Sequence, residues 1–463
     1  MDYMNNIDKK SLEIESLIRS YIKETNYNKI ELIGVFFHEL MIYATNYYVI
    51  KNSNENYSQD IKFPFLNSDY IENTPKIKFN NIKNNNKIYK LLELFQRLLP
   101  LKKIIYISSS NSHDIKLFIL KHLFKYRFKQ VNLNLYLEDW DYQISIIKNL
   151  LSSICDLIDV FDHKDNFINN FIEYVNSYKS DKKVLLQKNS YLLIDSNMSI
   201  QNRINSISFL QNNKKVISLG HGEHSIQVFD EPIISYGELS YVTDYITYGQ
   251  NIIQLESTVF KTPKIYYRNS NKILKYFINK EIKFRTLDKT VKVLYVPTSF
   301  SGNMRYGPYR DIEDKDYAKW QQAIFDNDYN ITYKQHLNVH YKIDFKIDKL
   351  ETKQLSKVMH KYDIYILDYI STASALLFAT NKPIIFFDIG LRNLHENVKT
   401  DFENRVFLHK VNLNNNLNDQ ISNTFNQYNN NKKQYTNTYT QKYSIDENNK
   451  NYINIIKQII GDK

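Results

Sequence analysis

The stretch Asp363-Ile364-Tyr365-Ile366-Leu367-Asp368, continued by Tyr369-Ile370-Ser371-Thr372-Ala373-Ser374-Ala375 up to Ala379 and by Lys382-Pro383-Ile384-Ile385-Phe386-Phe387-Asp388, decides the fold. It reads as a buried strand, a short loop, a helix and a second buried strand. Ser371, Thr372 and Ser374, three small hydroxyl residues, stand where the loop enters the helix. A helix N-terminus leaves backbone N–H groups unpaired and carries a partial positive charge, so it readily holds a phosphate. In a parallel sheet, ligands also bind beyond the carboxyl ends of the strands. Ser and Thr are equally the ordinary N-caps of helices, a purely structural role.

Working outward, the C-terminal half reads as a strand over 291–296, a helix over 315–325, a strand over 331–334 and a helix over 350–360, all leading into the opening unit. The N-terminal half reads as a strand over 103–108, a helix over 114–126, an alternating strand over 131–137 and helices from 141 to 178. It continues with a strand over 190–194, a helix over 203–210 and a strand over 215–219. Strands alternating with helices mark a parallel α/β sheet. Residues 1–60 read as helical, with a further helix over 90–98. The expected architecture is α/β: two Rossmann-like domains facing a cleft, with helical N-terminal and C-terminal additions. The boundaries are a helical region over 1–100, an acceptor domain over 101–265 and a donor-nucleotide domain over 286–411. An Asn-rich tail over 412–463 follows, weakly structured with helical patches and ending in a closing helix.

A chain of 463 residues suggests two or three domains. Hydrophobic content of 43% and charged content of 24% are those of an ordinary globular protein. Gly and Pro are scarce while Asn, Lys, Ile and Tyr abound, a skew that an A+T-rich genome explains, so single Asn or Lys residues carry little meaning. The net charge of +11 is spread along the chain and favours anionic partners such as nucleotides or membrane surfaces. No helix-turn-helix, zinc or RNP signature accompanies it, and no nucleic-acid partner is expected. Cys155 is the single cysteine, which excludes an intramolecular disulfide and fits a reducing compartment. The N-terminus lacks the apolar run of a signal peptide, and Glu31, His38 and Glu39 interrupt the apolar segment over 30–50. The expected location is cytoplasmic, with peripheral contact at the inner face of the membrane allowed.

Three further strand ends carry chemistry. Gly220-His221-Gly222-Glu223-His224 follows a strand, and an imidazole there suits a general base because it titrates near neutrality. Its bland counterpart is a histidine hydrogen-bonded within a tight turn. His221 and His224 lack a third ligand at recognisable spacing, so no metal site is read. Thr298-Ser299-Phe300-Ser301-Gly302 leads to Arg305 and Arg310, each beside a tyrosine, able to grip a phosphate; a solvated loop looks similar. His336 follows the strand over 331–334. Two signals are discounted. Asp139-Trp140-Asp141 is a lone D-x-D that an acidic helix start explains equally well. Ser108-Ser109-Ser110-Asn111-Ser112 lacks the glycines of a P-loop or dinucleotide fingerprint.

Taken in order, these segments resemble the CDP-glycerol glycerophosphotransferase family and related capsule and surface-polysaccharide transferases. Val293-Leu294-Tyr295-Val296-Pro297-Thr298 is similar to that family's "lYaPTwr" strand end, His221-Gly222 to its "HG" turn and Lys334-Gln335-His336 to its "K-x-H-P". Asp368-Tyr369-Ile370-Ser371-Thr372-Ala373 with Lys382-Pro383-Ile384-Ile385-Phe386 resembles "tDySSv…nkPiif". The likeness covers roughly 190–390. Leu337 replaces the proline after the histidine, Ser299-Phe300 the aromatic–Arg pair, and Thr372 the second serine. A CMP- or UDP-linked donor is therefore as compatible as CDP-glycerol.

The resemblance implies a GT-B fold, metal-independent transfer, no cofactor beyond the nucleotide-activated donor, and a glycan or lipid-linked acceptor. On this reading His221 is the base for the acceptor hydroxyl and Glu223 orients it. The donor contacts are Thr298, Ser299, Arg305, Arg310, His336, Ser371, Thr372 and Ser374. Two rival readings stand beside it: a sugar-nucleotide 2-epimerase of the same architecture, and a non-enzymatic protein that binds nucleic acid or another anionic polymer.

Overall fold

A computed structural model describes residues 2–23, 31–52, 94–96, 98–108, 112–161, 163–197, 199–220, 238–249, 263–278, 281–298, 314–336, 345–391, 394–431, 433–445 and 451–462. Two six-stranded parallel sheets organise them. The first contains β1 (Ile104–Ile107), β2 (Arg127–Gln130), β3 (Ser190–Ile194), β4 (Val216–Leu219), β5 (Asp244–Tyr248) and β6 (Lys264–Arg268), in the order β2-β1-β3-β4-β5-β6. The second contains β7 (Val293–Val296), β8 (Ile331–Lys334), β9 (Leu350–Glu351), β10 (Ile364–Leu367), β11 (Ile384–Asp388) and β12 (Phe407–Lys410), in the order β9-β8-β7-β10-β11-β12. Counted from its own first strand, the second sheet runs three-two-one-four-five-six, the doubly wound order of a Rossmann sheet. The expected α/β class with two Rossmann-like halves is what the chain forms.

Each sheet is covered on both faces, which is why inner strands such as β3, β7 and β10 are near-continuous apolar runs rather than alternating ones. In the first sheet Ile105, Ile107, Leu193, Ile217 and Ile246 pack in one buried cluster with the helices His113–His122 and Tyr452–Ile459. Leu192, Ile194, Val216 and Tyr245 face the other way. In the second sheet Val293, Tyr295, Ile364, Ile366 and Phe387 pack with the helices Asp314–Phe325 and Leu417–Asn429. Its opposite face, with Leu294, Val296, Tyr365 and Leu367, joins Leu192 and Ile194 in one continuous cluster. The two sheets are therefore coupled through apolar contact.

The helices Asp2–Lys23, Leu32–Val35 and Phe37–Asn52 do not stand apart. Ile14, Ile18, Phe36, Phe37 and Tyr43 share a core with the helices Trp140–Leu157 and Lys164–Asn176. Buried Arg203 fastens them: its Nε donates to Val35 O at 3.0 Å, Nη1 to Asn197 O at 3.2 Å, and Nη2 to the Glu39 carboxylate. Burial pushes the Glu39 carboxyl up, against the pull of Arg203.

Several sequence expectations shift. Residues 131–137 are not a strand; β2 lies just before them. Their alternation comes from an extended segment held from the side, with Leu135 N bonded to Tyr178 O at 2.8 Å and Leu133 N to Asn205 Oδ1 at 2.9 Å. The helix expected over 350–360 opens with the short edge strand β9, and only Leu355–Val358 is α-helical. Strands β5, β6 and β12 went unread because each is only four or five residues long and starts or ends on a charged residue, Asp244, Lys264, Arg268 or Lys410, which leaves three or four residues of pattern. β6 extends the first sheet beyond 265, to Arg268. The Asn-rich tail is built into the body: Ile421, Phe425 and Tyr428 of Leu417–Asn429 and Tyr439 and Tyr443 of Thr438–Ser444 are buried.

One glycine marks the seam where Thr438–Ser444 meets the end of β5. Gly249 has φ +80, and a Cβ there would lie 2.5 Å from Tyr443 O and 2.6 Å from its carbonyl carbon. Gly390 has a similar φ of +83 with nothing within 4 Å. We expect Gly249→Ala to cost about 2–4 kcal/mol because backbone must move, and Gly390→Ala only about 1 kcal/mol of conformational strain. Denaturant unfolding of the two variants beside the parent checks the difference.

Candidate functional site

The second sheet reverses its winding between β7 and β10, where Val293 to Val296 register against Ile364 to Leu367. In such sheets ligands bind outside the carboxyl ends of the strands at this reversal. Thr298 lies two residues beyond β7, Asp368 directly follows β10, and Ser371, Thr372 and Ser374 open the helix Thr372–Phe378. His336 lies two residues beyond β8, the neighbour of β7, and is exposed. Topology thus brings Thr298, His336, Ser371, Thr372 and Ser374 to one sheet edge. Ser299, Arg305 and Arg310 lie outside the described residues, as do His221 and Glu223 beyond β4.

Local chemistry explains the helix start. Ser371 is the N-cap, its Oγ accepting from Ala373 N at 3.2 Å and Ser374 N at 3.4 Å. Ser374 Oγ returns the favour, accepting from Ser371 N at 2.7 Å and donating to Ser371 O at 2.7 Å. This reciprocal capping box uses the two serine hydroxyls for the helix itself. Thr372, half-buried at the first helical position, takes no part in it. The far end of the helix is held by Arg405, fully buried, which donates to Phe378 O at 3.0 Å, Leu377 O at 3.2 Å and Thr380 O at 2.9 Å. A cation suits a helix C-terminus, and burial pulls this guanidinium down to about 9, still charged at neutral pH.

The strongest electrostatic feature of this edge is Asp368, 2% exposed. Its Oδ2 accepts from Tyr295 OH at 2.5 Å, Tyr317 OH at 3.0 Å and Trp320 Nε1 at 3.1 Å. Tyr317 OH in turn accepts from Thr298 N at 2.9 Å, so one buried chain of bonds links the loops after β7 and β10. Asp368 Oδ1 has no hydrogen-bond partner among the described residues. Burial pushes the carboxyl up to about 6, outweighing the three donors that favour the anion. In the sequence Asp368 stands only as the first residue of the Asp368-Tyr369-Ile370-Ser371 motif. Its signal was an acid closing a fully apolar strand, with tyrosines on the neighbouring strand and on the helix Asp314–Phe325. Lys334, at the end of β8, is also buried; its Nζ donates to Gln335 O at 2.8 Å, and burial lowers the ammonium pKa against the opposing field of Glu351.

At the end of β4, Gly220 is required for close approach rather than for a left-handed turn. A Cβ there would lie 2.9 Å from Tyr245 OH, which donates to the buried Glu238 carboxylate. Ser108, at the end of β1, is absorbed into a buried network with Asn202 and Asn205. Asp139 and Asp141 flank a helix start, Asp139 Oδ1 accepting from Gln143 Nε2 at 2.7 Å and Asp141 pairing with Lys179 at 3.1 Å. The D-x-D pair thus has a structural role, as does Ser108; Ser109, Ser110 and Asn111 lie outside the described residues.

No family model and no curated protein matches the sequence. Among solved structures the chain is similar to one described as the glycotransferase of kitacinnamycin, at 7% identity and a TM-score of 0.36. That match covers 78% of this chain and 99% of the other. Likeness at this level carries no conclusion about activity.

The Asp368 node makes a signed prediction. A carboxyl raised in the folded state binds more protons there than when unfolded. Its contribution is therefore fully present below the ordinary value of 3.8 and is lost as pH rises to about 6. Asp368→Asn keeps an oxygen for the three donors and should remove this falling slope. Asp368→Leu strands three buried donors and should cost about 3 kcal/mol or more. Urea unfolding of parent and variants between acid and neutral pH checks both.

Proposed function

We infer that the chain is a transferase that moves a glycosyl or glycerol-phosphate group from a CMP-, CDP- or UDP-linked donor to a growing bacterial surface glycan or capsule acceptor. One observation supports this reading: Thr298, Ser371, Thr372 and Ser374 gather at the winding reversal of a doubly wound sheet, with His336 on the next strand end, where such sheets take nucleotides. The donor's phosphates meet the first turn of Thr372–Phe378, where Thr372 is outside the capping box and the two cap bonds to Ser371 Oγ are long. Thr298 and His336 stand at the neighbouring strand ends; Ser299 is a further donor contact, and Arg305 and Arg310 offset charge on the leaving nucleotide. His221 takes the proton of the acceptor hydroxyl, oriented by Glu223. In the balanced step, the acceptor oxygen bonds to the transferred group as its bond to the nucleotide phosphate breaks, and the nucleotide leaves with that electron pair.

A thermal-shift panel of CMP, CDP, UDP and GDP tests the donor site, with a rise of about 2 °C or more expected from at least one. His221→Ala should lower donor turnover about 10²–10⁴-fold while leaving that shift intact. Flat melting curves with every nucleotide would remove the reading. Free epimerised sugar from UDP-GlcNAc without acceptor would replace it with a 2-epimerase.

A further inference from the structure

We propose that an apolar knuckle at the amino-end edge of the first sheet docks the protein on an anionic lipid surface. Leu94 (56% exposed), Phe95 (47%), Leu98 (84%), Leu120 (72%) and Phe124 (72%) are all large and open to solvent. They lie on two adjacent segments, the one just before β1 and the end of the helix His113–His122 with the turn after it. The Phe95 and Phe124 rings meet edge to face at 6.2 Å.

The fold builds this surface deliberately through Gln96. Fully buried, Gln96 donates from Nε2 to Leu123 O at 2.6 Å and Tyr126 O at 2.9 Å, and accepts from Phe128 N at 2.8 Å. Those three bonds clip the first segment to the second, so leucine and phenylalanine side chains on either side of Gln96 are held outward beside Leu120 and Phe124. Exposed apolar side chains scattered singly need no explanation, but a fixed group does.

Charge selects the occupant. Segments 94–107 and 115–130 contain eight Lys or Arg and no Asp or Glu. Lys116 precedes Leu120 by one helical turn, and Lys121 and Lys125 flank Leu120 and Phe124; all three are exposed. Asp462 pairs with Lys103 and Lys125 from the C-terminal end, leaving Lys102, Lys116 and Lys121 facing outward. A second copy docked by two-fold symmetry would set these lysines against their own kind. An anionic bilayer takes the apolar side chains into its interface while its headgroups meet the lysines.

The inference is independent of the transferase reading. Co-sedimentation of the full chain with phosphatidylcholine vesicles, and with vesicles of equal parts phosphatidylcholine and phosphatidylglycerol, tests it. Binding is expected to the anionic vesicles only and to weaken with added salt. Leu98→Ser/Phe124→Ser should weaken binding about a hundredfold with no change in melting temperature, since both side chains already face water. Lys116→Glu/Lys121→Glu should weaken it without touching the apolar group. The proposal is overturned if the parent ignores anionic vesicles, or if the serine pair binds as well as the parent. It is equally overturned if the serine pair melts markedly lower, which would place the knuckle against the chain itself, or if it instead abolishes self-association in sedimentation.

Discussion

Three donors from two elements converge on a single oxygen, Asp368 Oδ2: Tyr295 from β7, and Tyr317 and Trp320 from the helix Asp314–Phe325. Asp368 itself belongs to the loop after β10, so this point ties two adjacent strands and the helix that covers them. In a low-dielectric surrounding each of these bonds is strong, and an unmade one is costly. Tyr317 extends the tie to the backbone of Thr298. The spacing between the loops that flank the winding reversal is thereby set by buried chemistry rather than by the loops.

The surrounding elements hold that spacing rigid. The helix after β10 is fixed at one end by the Ser371–Ser374 capping box and at the other by the buried Arg405 guanidinium. The second sheet is coupled to the first through a shared apolar cluster and through the C-terminal segment. That segment is latched by Asp462. Burial opposes ionisation there, but bonds from Lys103, Tyr126 and Lys125 dominate and bring the carboxyl down to about 2. The latch therefore persists across the whole physiological range.

Much of this was legible in the sequence because it depends on periodicity. Strands such as β3, β7 and β10, buried on both faces, announce themselves as apolar runs, and their order already implied two parallel sheets. Edge strands β6, β9 and β12 carry charges or are very short, and local pattern does not distinguish them from loops. The extended 131–137 segment misled for the opposite reason: its alternation is real, but side chains of Asn205, Gln201 and Gln211 take the backbone bonds that a neighbouring strand would take. At the candidate site, the small hydroxyl residues were visible while their engagement with one another was not. Asp368 was visible as a letter, but its three donors come from residues 48 to 73 positions away, which no local reading assembles.

Hydrogen–deuterium exchange with and without CDP or UDP tests the central claim, that nucleotide binds at the reversal between β7 and β10. The account predicts slowed exchange in peptides carrying 296–298 and 368–378, with 104–122 of the first sheet unchanged. Protection confined to 104–122, or no protection with either nucleotide, would contradict it.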